Sequence, residues 1–73
     1  MKYITLPEMV DYIDATSVVY PITIEMNVLD DSRGDNPFED FKFTSQDDFH
    51  WWLADMAGQV GSSYMRATLA RIV

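Results

Sequence analysis

The fold depends on FEDFKFTSQDDFHWWLADM, residues 38–56, which contains a predicted strand and a predicted helix in direct succession. Phe41 and Phe43 alternate with polar residues, which predicts a half-buried strand. Thr44 and Ser45 then offer a side-chain oxygen to the first free amides of a helix, and acidic residues in its first turn favour the positive end of the helix dipole. The helix carries one apolar stripe, at positions i, i+3, i+4 and i+7: Phe49, Trp52, Leu53 and Met56.

A longer alternating segment comes before this unit. Between Ser17 and Leu29 the even positions are apolar, and a period of two predicts an antiparallel strand with one face in water. Pro21 interrupts the ladder, so two interpretations remain open: two strand segments that meet at Pro21, or one strand exposed at the sheet edge there. Residues 30–37 predict a loop that joins this strand to the next as a hairpin.

The N-terminal segment predicts a short strand over residues 1–6. Pro7 either ends that strand or opens a short helical turn that extends to Ile13, and the sequence does not decide between the two. Residues 14–16 predict a break in the chain, because Asp14 bonds readily to the backbone that follows it.

The C-terminal segment predicts a second helix. Gly58 is expected to cap the first helix, and residues 60–63 give the next start signal. The apolar stripe of this last helix is Met65, Leu69 and Ile72. We therefore predict one α+β domain, residues 1–73, with an antiparallel sheet of three to four strands and two C-terminal helices on one face.

Length and composition restrict the class of protein. A chain of 73 residues forms one small domain, whose core is too modest for a cofactor together with a substrate pocket. It has no cysteine, which excludes disulfides and zinc–thiolate sites and fits a reducing compartment. No apolar run reaches the roughly 20 residues of a membrane span or forms a signal peptide. We expect a soluble, cytoplasmic protein without a cofactor.

No group of side chains predicts catalysis or metal binding. His50 is the only histidine, and no nucleophile or glycine-rich phosphate loop stands at a motif-defined spacing from it. Residues 30–40 are rich in oxygen ligands, but Gly34 comes too early for a calcium loop and Phe41 occupies the place of the bidentate glutamate. We therefore expect no enzyme, no catalytic residue and no metal site.

The charge is strongly acidic. Twelve acidic residues against five lysines and arginines give a net charge of −7, and all twelve acids lie between Glu8 and Asp55. Such a protein repels nucleic acid and anionic membranes and is drawn to basic surfaces. Two interpretations remain open: the charge serves solubility, or the acidic part faces a protein that itself holds nucleic acid.

Two aromatic residues are candidates for a partner contact. Trp51 lies about 200° from Phe49 around the helix, nearly opposite the stripe that faces the sheet. It either packs under the second helix or the N-terminal segment, or serves as an aromatic anchor of an interface. Tyr20 shares the parity of the core-facing residues, yet Pro21 places it at an edge or bend where its ring and hydroxyl are available to a partner.

Four parts of the chain carry a resemblance to a known family. They are Met1-Lys2-Tyr3-Ile4, Val18-Val19-Tyr20, the passage from Phe43-Thr44-Ser45 through Phe49 to Trp52-Leu53, and the connection from Gly58 to Gly61 into the last helix. Taken end to end, the chain resembles the small phage anti-CRISPR proteins of the type I-F class, which coat the crRNA-carrying backbone subunits of the Csy surveillance complex. The resemblance covers nearly the whole length.

The resemblance implies an antiparallel sheet with two helices on one face, no enzymatic activity, and binding that blocks pairing of target DNA with the crRNA in the host bacterial cell. In that family a sheet-face tyrosine and an acidic residue near the end of a strand carry the contact, and Tyr20 and Asp31 fall on these positions. Leu6 replaces a further family tyrosine, and Pro21 departs from the family's hairpin turn. The predicted partner-binding residues are Tyr20, Asp31, Glu25, Asp30 and Trp51.

The predicted partner is therefore a protein, the backbone subunit of a CRISPR–Cas surveillance complex, with no direct contact to nucleic acid or membrane. Two alternatives remain open. The first is an acidic DNA mimic that inhibits another nucleic-acid enzyme, and the second is a small immunity or antitoxin protein whose acids and Trp51 cover a toxin's basic active site.

Overall fold

A computed structural model describes residues 1–28, 37–60 and 66–73 of the chain. In chain order its elements are β1 (Ile4–Thr5), α1 (Leu6–Ala15), β2 (Ile22–Met26), β3 (Glu39–Phe43), α2 (Gln46–Val60) and β4 (Leu69–Ile72). Within this described part the strands form one antiparallel sheet in the order β1-β4-β2-β3. The predicted α+β class and the antiparallel sheet of four strands are confirmed.

The hairpin of β2 and β3 follows the alternating pattern of the sequence. Ile22 lies opposite Phe43 and Ile24 opposite Phe41, so these side chains share one face of the sheet. Residues 17–21 belong to no strand, and both interpretations of them are wrong: β2 begins directly after Pro21, which has no amide hydrogen for a ladder. The peptide bond before Pro21 is cis. The predicted loop between the two strands falls, apart from its last residue, outside the described residues.

The N-terminal segment contains both a short strand and a helix, the two elements between which the sequence did not decide. Thr5 ends β1 and is also the N-cap of α1, where its Oγ1 accepts a hydrogen bond from the Glu8 amide at 3.3 Å. The Glu8 carboxylate in turn accepts from the Thr5 amide at 3.0 Å, which completes a capping box. Pro7 sits in the first turn, where a helix needs no donor. The helix ends at Ala15, so the break predicted for residues 14–16 is wrong for Asp14 and Ala15, which are helical, and the Asp14 side chain bonds to α2 and not to its own backbone.

The arrangement of the helices differs from the predicted two C-terminal helices. α1 precedes most of the sheet, and Leu69–Ile72, which were predicted for the last helix, form β4 between β1 and β2, whereas Arg66 and Ala67 before them are helical. Ala70 lies opposite Ile4 on one side and opposite Met26 on the other. A stripe of three apolar positions is a weak helix signal, and a strand that bonds to two neighbours satisfies its backbone equally well. The first residue of that stripe, Met65, lies outside the described residues.

The core lies between the helices and one face of the sheet. Leu6, Met9 and Ile13 of α1 are buried there together with Phe49 of α2. These apolar side chains lie three and four residues apart along α1, which is the spacing of one helix face. The remaining buried apolar side chains come from the sheet and its flanks: Ile22, Ile24, Met26, Val28, Phe43 and Ala70.

The helix α2 packs through the stripe predicted for it. Phe49 is fully buried with its ring 5.1 Å from that of Phe43, and the ring of Trp52 is 5.5 Å from Phe43. Ser45 caps the helix, because its Oγ accepts from the Asp48 amide at 3.0 Å. The predicted cap at Gly58 is wrong, since α2 continues to Val60. A helix passes through a glycine at a cost of about 1 kcal/mol, so the residue does not by itself end it.

Candidate functional site

The outer surface of the two helices is acidic. Neither helix contains a lysine or arginine, and their acidic side chains are all exposed to solvent: Glu8, Asp11, Asp14, Asp47, Asp48 and Asp55. The basic side chains of the described residues come from the N-terminus, from strands β3 and β4, and from Arg66 in the helical residues before β4. We call the exposed side of α1 and α2, with these six acids, the acidic helix surface.

Trp51 projects from the acidic helix surface. It is 77% exposed and, with Asp47, His50 and Ala54, lines a shallow open groove along α2. The interpretation in which Trp51 packs under another part of the protein is therefore wrong. A large exposed aromatic among acids is available for contact, although its role in binding a partner stays a prediction.

A polar contact joins the two helices beside this groove. Asp14, in the last turn of α1, accepts a hydrogen bond from Gln46 Nε2 at 3.0 Å through its Oδ1. The same oxygen lies 3.0 Å from His50 Nε2. These contacts hold the end of α1 against the first two turns of α2, so Asp14 lies next to the groove that His50 and Trp51 line.

Tyr20 lies against the core instead of projecting from the sheet edge. Its side chain is half-buried and packs against the core cluster. Its Oη is buried and has no hydrogen-bond partner among the described residues. Burial raises the pKa of the Tyr20 phenol, and the nearby charge of Asp14 raises it further. In this conformation the hydroxyl is withdrawn from solvent, and the contact predicted for Tyr20 stays a prediction.

Glu25 is on the opposite side of the protein from Trp51. It lies between two buried residues of β2 and therefore points away from the helices. Arg71 Nε donates to its Oε1 at 2.8 Å, and the Tyr3 hydroxyl donates to the same oxygen. The Tyr3 hydroxyl and then Arg71 lower the pKa of the Glu25 carboxyl. The charge of Glu25 is thus compensated within the chain.

The remaining predicted contacts, Asp30 and Asp31, lie outside the described residues. Of the five residues proposed to bind a partner, the structure therefore places Trp51 on the acidic helix surface, Tyr20 beside the core and Glu25 on the open sheet face. The predicted set is not one patch in the described part of the chain.

The open face of the sheet carries a cluster that sequence reasoning missed. The rings of Tyr3 and Phe38 lie 4.6 Å apart, and both residues are about two-fifths exposed, at 40% and 41%. The Arg71 guanidinium lies 4.8 Å from the centre of the Tyr3 ring, a cation–π distance. Residues 69–72 contain a single charged residue, Arg71, between apolar ones, and such a short run is too weak a signal to predict a strand.

Within the described ranges no group of three or more histidine, cysteine, aspartate or glutamate side chains is placed to hold a metal ion. Neither described helix has the length and apolar character needed to cross a lipid bilayer. No family model, no curated protein and no solved structure matches the chain.

Proposed function

We propose that this protein is a binding protein that inhibits a type I CRISPR–Cas surveillance complex by occupying the backbone that carries the crRNA, so that target DNA cannot pair. The observation that carries the proposal is Trp51, which is 77% exposed on a two-helix surface with acids and no lysine or arginine. The choice of a CRISPR complex as the target rests on the resemblance of the chain to type I-F anti-CRISPR proteins.

The acidic helix surface supports this function through long-range attraction. A protein that holds nucleic acid presents lysines and arginines to phosphates, and carboxylates at a similar density compete for the same groups. Opposite charges across an interface raise the rate of association and select the partner more than they raise affinity. Glu25 contributes little to this attraction because Arg71 already pairs with it.

Trp51 supplies the short-range part of the interaction. Interfaces derive most of their binding energy from a few buried aromatic or arginine side chains, which are surrounded by polar groups. Asp47 and His50, which line the groove beside Trp51, are polar groups of the kind expected around such an anchor. Burial of an exposed tryptophan on the partner contributes affinity that survives when salt screens the charges.

The direct test uses a purified type I-F surveillance complex and a labelled target duplex. We expect the protein to reduce duplex binding in a gel-shift assay and to elute with the complex in size-exclusion chromatography. Trp51→Ala should weaken inhibition at least tenfold, about 1.4 kcal/mol, and raising salt from 0.05 to about 0.5 M should weaken the wild type. The control is Phe38→Ala, which removes a half-exposed aromatic ring from the other side of the protein and should inhibit like wild type.

Two results contradict the proposal. If the protein neither elutes with the complex nor reduces its binding to DNA, the CRISPR target is wrong. If Trp51→Ala and Phe38→Ala inhibit equally well, the acidic helix surface is not the contact. Capture of a different nucleic-acid enzyme or of a toxin from a bacterial lysate would instead support one of the two alternative inhibitor classes.

A further inference from the structure

We propose that two copies of this chain associate by antiparallel pairing of β3 with β3 of the second copy, with a two-fold axis at Phe41. The pairing would join two four-stranded sheets into one continuous sheet. The inference is independent of the proposed inhibitory function, because it concerns the sheet edge and not the acidic helix surface.

The first observation is that β3 stands at the edge of the sheet. In the described part of the chain it pairs only with β2, through five consecutive residues from Glu39 to Phe43. The other side of the strand then presents backbone donors and acceptors in a row, which is a template for a further strand. Natural proteins protect such edges with proline, bulges or charged side chains; β3 contains no proline, and its charged residues are of both signs, so they can match those of a second copy.

The second observation is the sequence of β3, in which charges of opposite sign flank the central residue. Asp40 and Lys42 are both exposed, and they share the open face because they are two positions apart. A two-fold axis at Phe41 places Asp40 opposite Lys42 of the second copy, and the symmetry makes this pair twice. Opposite charges that face each other across a strand pair stabilise it.

The charges of β3 are poorly matched within one copy. Asp40 lies opposite Glu25 in the β2–β3 ladder, and like charges that face each other are unfavourable. Arg71, which also attracts Asp40, is bonded to Glu25. Lys42 lies opposite Thr23, which carries no charge. Neither Asp40 nor Lys42 has an ion-pair partner within 4.0 Å among the described residues, and a second copy supplies a counter-charge to each.

The charges also select the register. A two-fold axis at Asp40 would place the two Asp40 carboxylates of the dimer opposite each other. An axis at Lys42 would place the two Lys42 ammonium groups opposite each other. Only the axis at Phe41 matches opposite charges. In that register the half-buried ring of Phe41, which packs beside Trp52 with 5.4 Å between ring centres, lies next to its counterpart. A pair of aromatic residues across two strands adds to the stability of the pairing.

The test measures the oligomeric state of the full chain by sedimentation equilibrium. A single pair of five-residue strands buries less surface than a stable dimer needs, so the protein should be followed up to about 1 mM at low salt. We expect wild-type dimers at the upper end of this range. Asp40→Lys and Lys42→Asp each set like charges opposite one another, and each should weaken association at least tenfold.

Mixing the two single variants gives the sharper result. In the mixed pair, the lysine introduced by Asp40→Lys in one copy faces the aspartate introduced by Lys42→Asp in the other copy. The unchanged Lys42 of the first copy faces the unchanged Asp40 of the second. An equimolar mixture should therefore form heterodimers although neither variant dimerises alone. The double variant carrying both changes should dimerise like wild type. Far-ultraviolet circular dichroism checks that each variant is folded, which we expect since both side chains are exposed.

General charge repulsion predicts a different outcome. The chain carries a net charge of −7, so Asp40→Lys reduces overall repulsion and would strengthen a non-specific dimer, whereas the proposed register predicts weakening. Asp55→Lys makes the same charge change on α2 and is the matched control, which should not weaken association. A wild type that stays monomeric up to 1 mM overturns the proposal, as does a dimer that tolerates Asp40→Lys or a mixture that remains monomeric.

Discussion

The buried hydroxyl of Tyr20 predicts that Tyr20→Phe stabilises the protein. The Oη is buried without a hydrogen-bond partner among the described residues, and Asp14, whose charge acts on it, already bonds to Gln46 and lies within bonding distance of His50. A buried polar group without a partner costs about 1–3 kcal/mol, and phenylalanine removes that cost while it keeps the ring in place. We expect a gain of about 1 kcal/mol in the free energy of unfolding.

The gain is measurable by urea and thermal denaturation. For a domain of this size, 1 kcal/mol corresponds to an increase in Tm of about 4–8 °C. Tyr20→Ala is the companion variant, and it should lose stability because the ring packs against the core. Destabilisation by Tyr20→Phe would refute the reasoning, since it would mean that the hydroxyl has a partner in solution. If Tyr20→Phe is more stable but binds a CRISPR complex more weakly, the hydroxyl makes the contact that the resemblance implies.

Three further predictions concern the helices and the core. Trp52→Ala should lower the free energy of unfolding by about 3 kcal/mol, because the Trp52 ring lies beside three other aromatic rings. Trp51→Ala should change that free energy by less than about 0.5 kcal/mol, because Trp51 is exposed, and urea denaturation measures both variants. Gly58→Ala should raise stability by about 0.5–1 kcal/mol in the same assay, because an added Cβ meets nothing within 4 Å inside α2. Hydrogen bonds from the Thr5 amide and then its hydroxyl lower the pKa of Glu8, so its stabilising effect is complete above the ordinary carboxyl pKa and is lost as pH falls through the lowered value. The Tm should therefore fall less steeply for Glu8→Gln than for wild type as the pH is lowered from 7 to 2. An identical dependence of Tm on pH in the two proteins would contradict the capping role.

Local signals in the sequence predicted the elements that form from neighbouring residues. The strand, cap and helix of residues 38–56 are confirmed because alternation, a capping Ser45 and one apolar stripe all favour the same elements over a short distance. The break predicted for residues 14–16 comes too early, because Asp14 and Ala15 complete the last turn of α1. Gly58 misled the prediction, because glycine at a helix end is only a tendency and a helix passes through a glycine at a modest cost.

Long-range pairing explains what the sequence did not predict. The residues of β4 become a strand because β1 and β2, far away along the chain, lie on either side of them. The contacts of Arg71 with Glu25 and Tyr3 cannot be predicted unless residues 69–72 are recognised as a strand. For that reason the sequence alone predicted that Glu25 is free to bind a partner. The burial of the Tyr20 hydroxyl depends likewise on the position of α1. The exposure of Trp51, in contrast, was one of the two interpretations that helix geometry alone had left open.

The position of β4 inside the sheet has a consequence for synthesis on the ribosome. β1 pairs only with β4 in the described part of the chain, and the Leu6 amide bonds to the Thr68 carbonyl, so β1 has no sheet partner there until residues 68–72 have been made. The β2–β3 hairpin and α2 follow one another directly along the chain, so their contacts with each other can form earlier. Until β4 emerges, the apolar face of α1 lacks much of its cover and is open to chaperones and proteases. Limited proteolysis of ribosome-bound chains should therefore cut within α1 until β4 has left the exit tunnel, and protection of α1 in shorter chains would contradict this order of assembly.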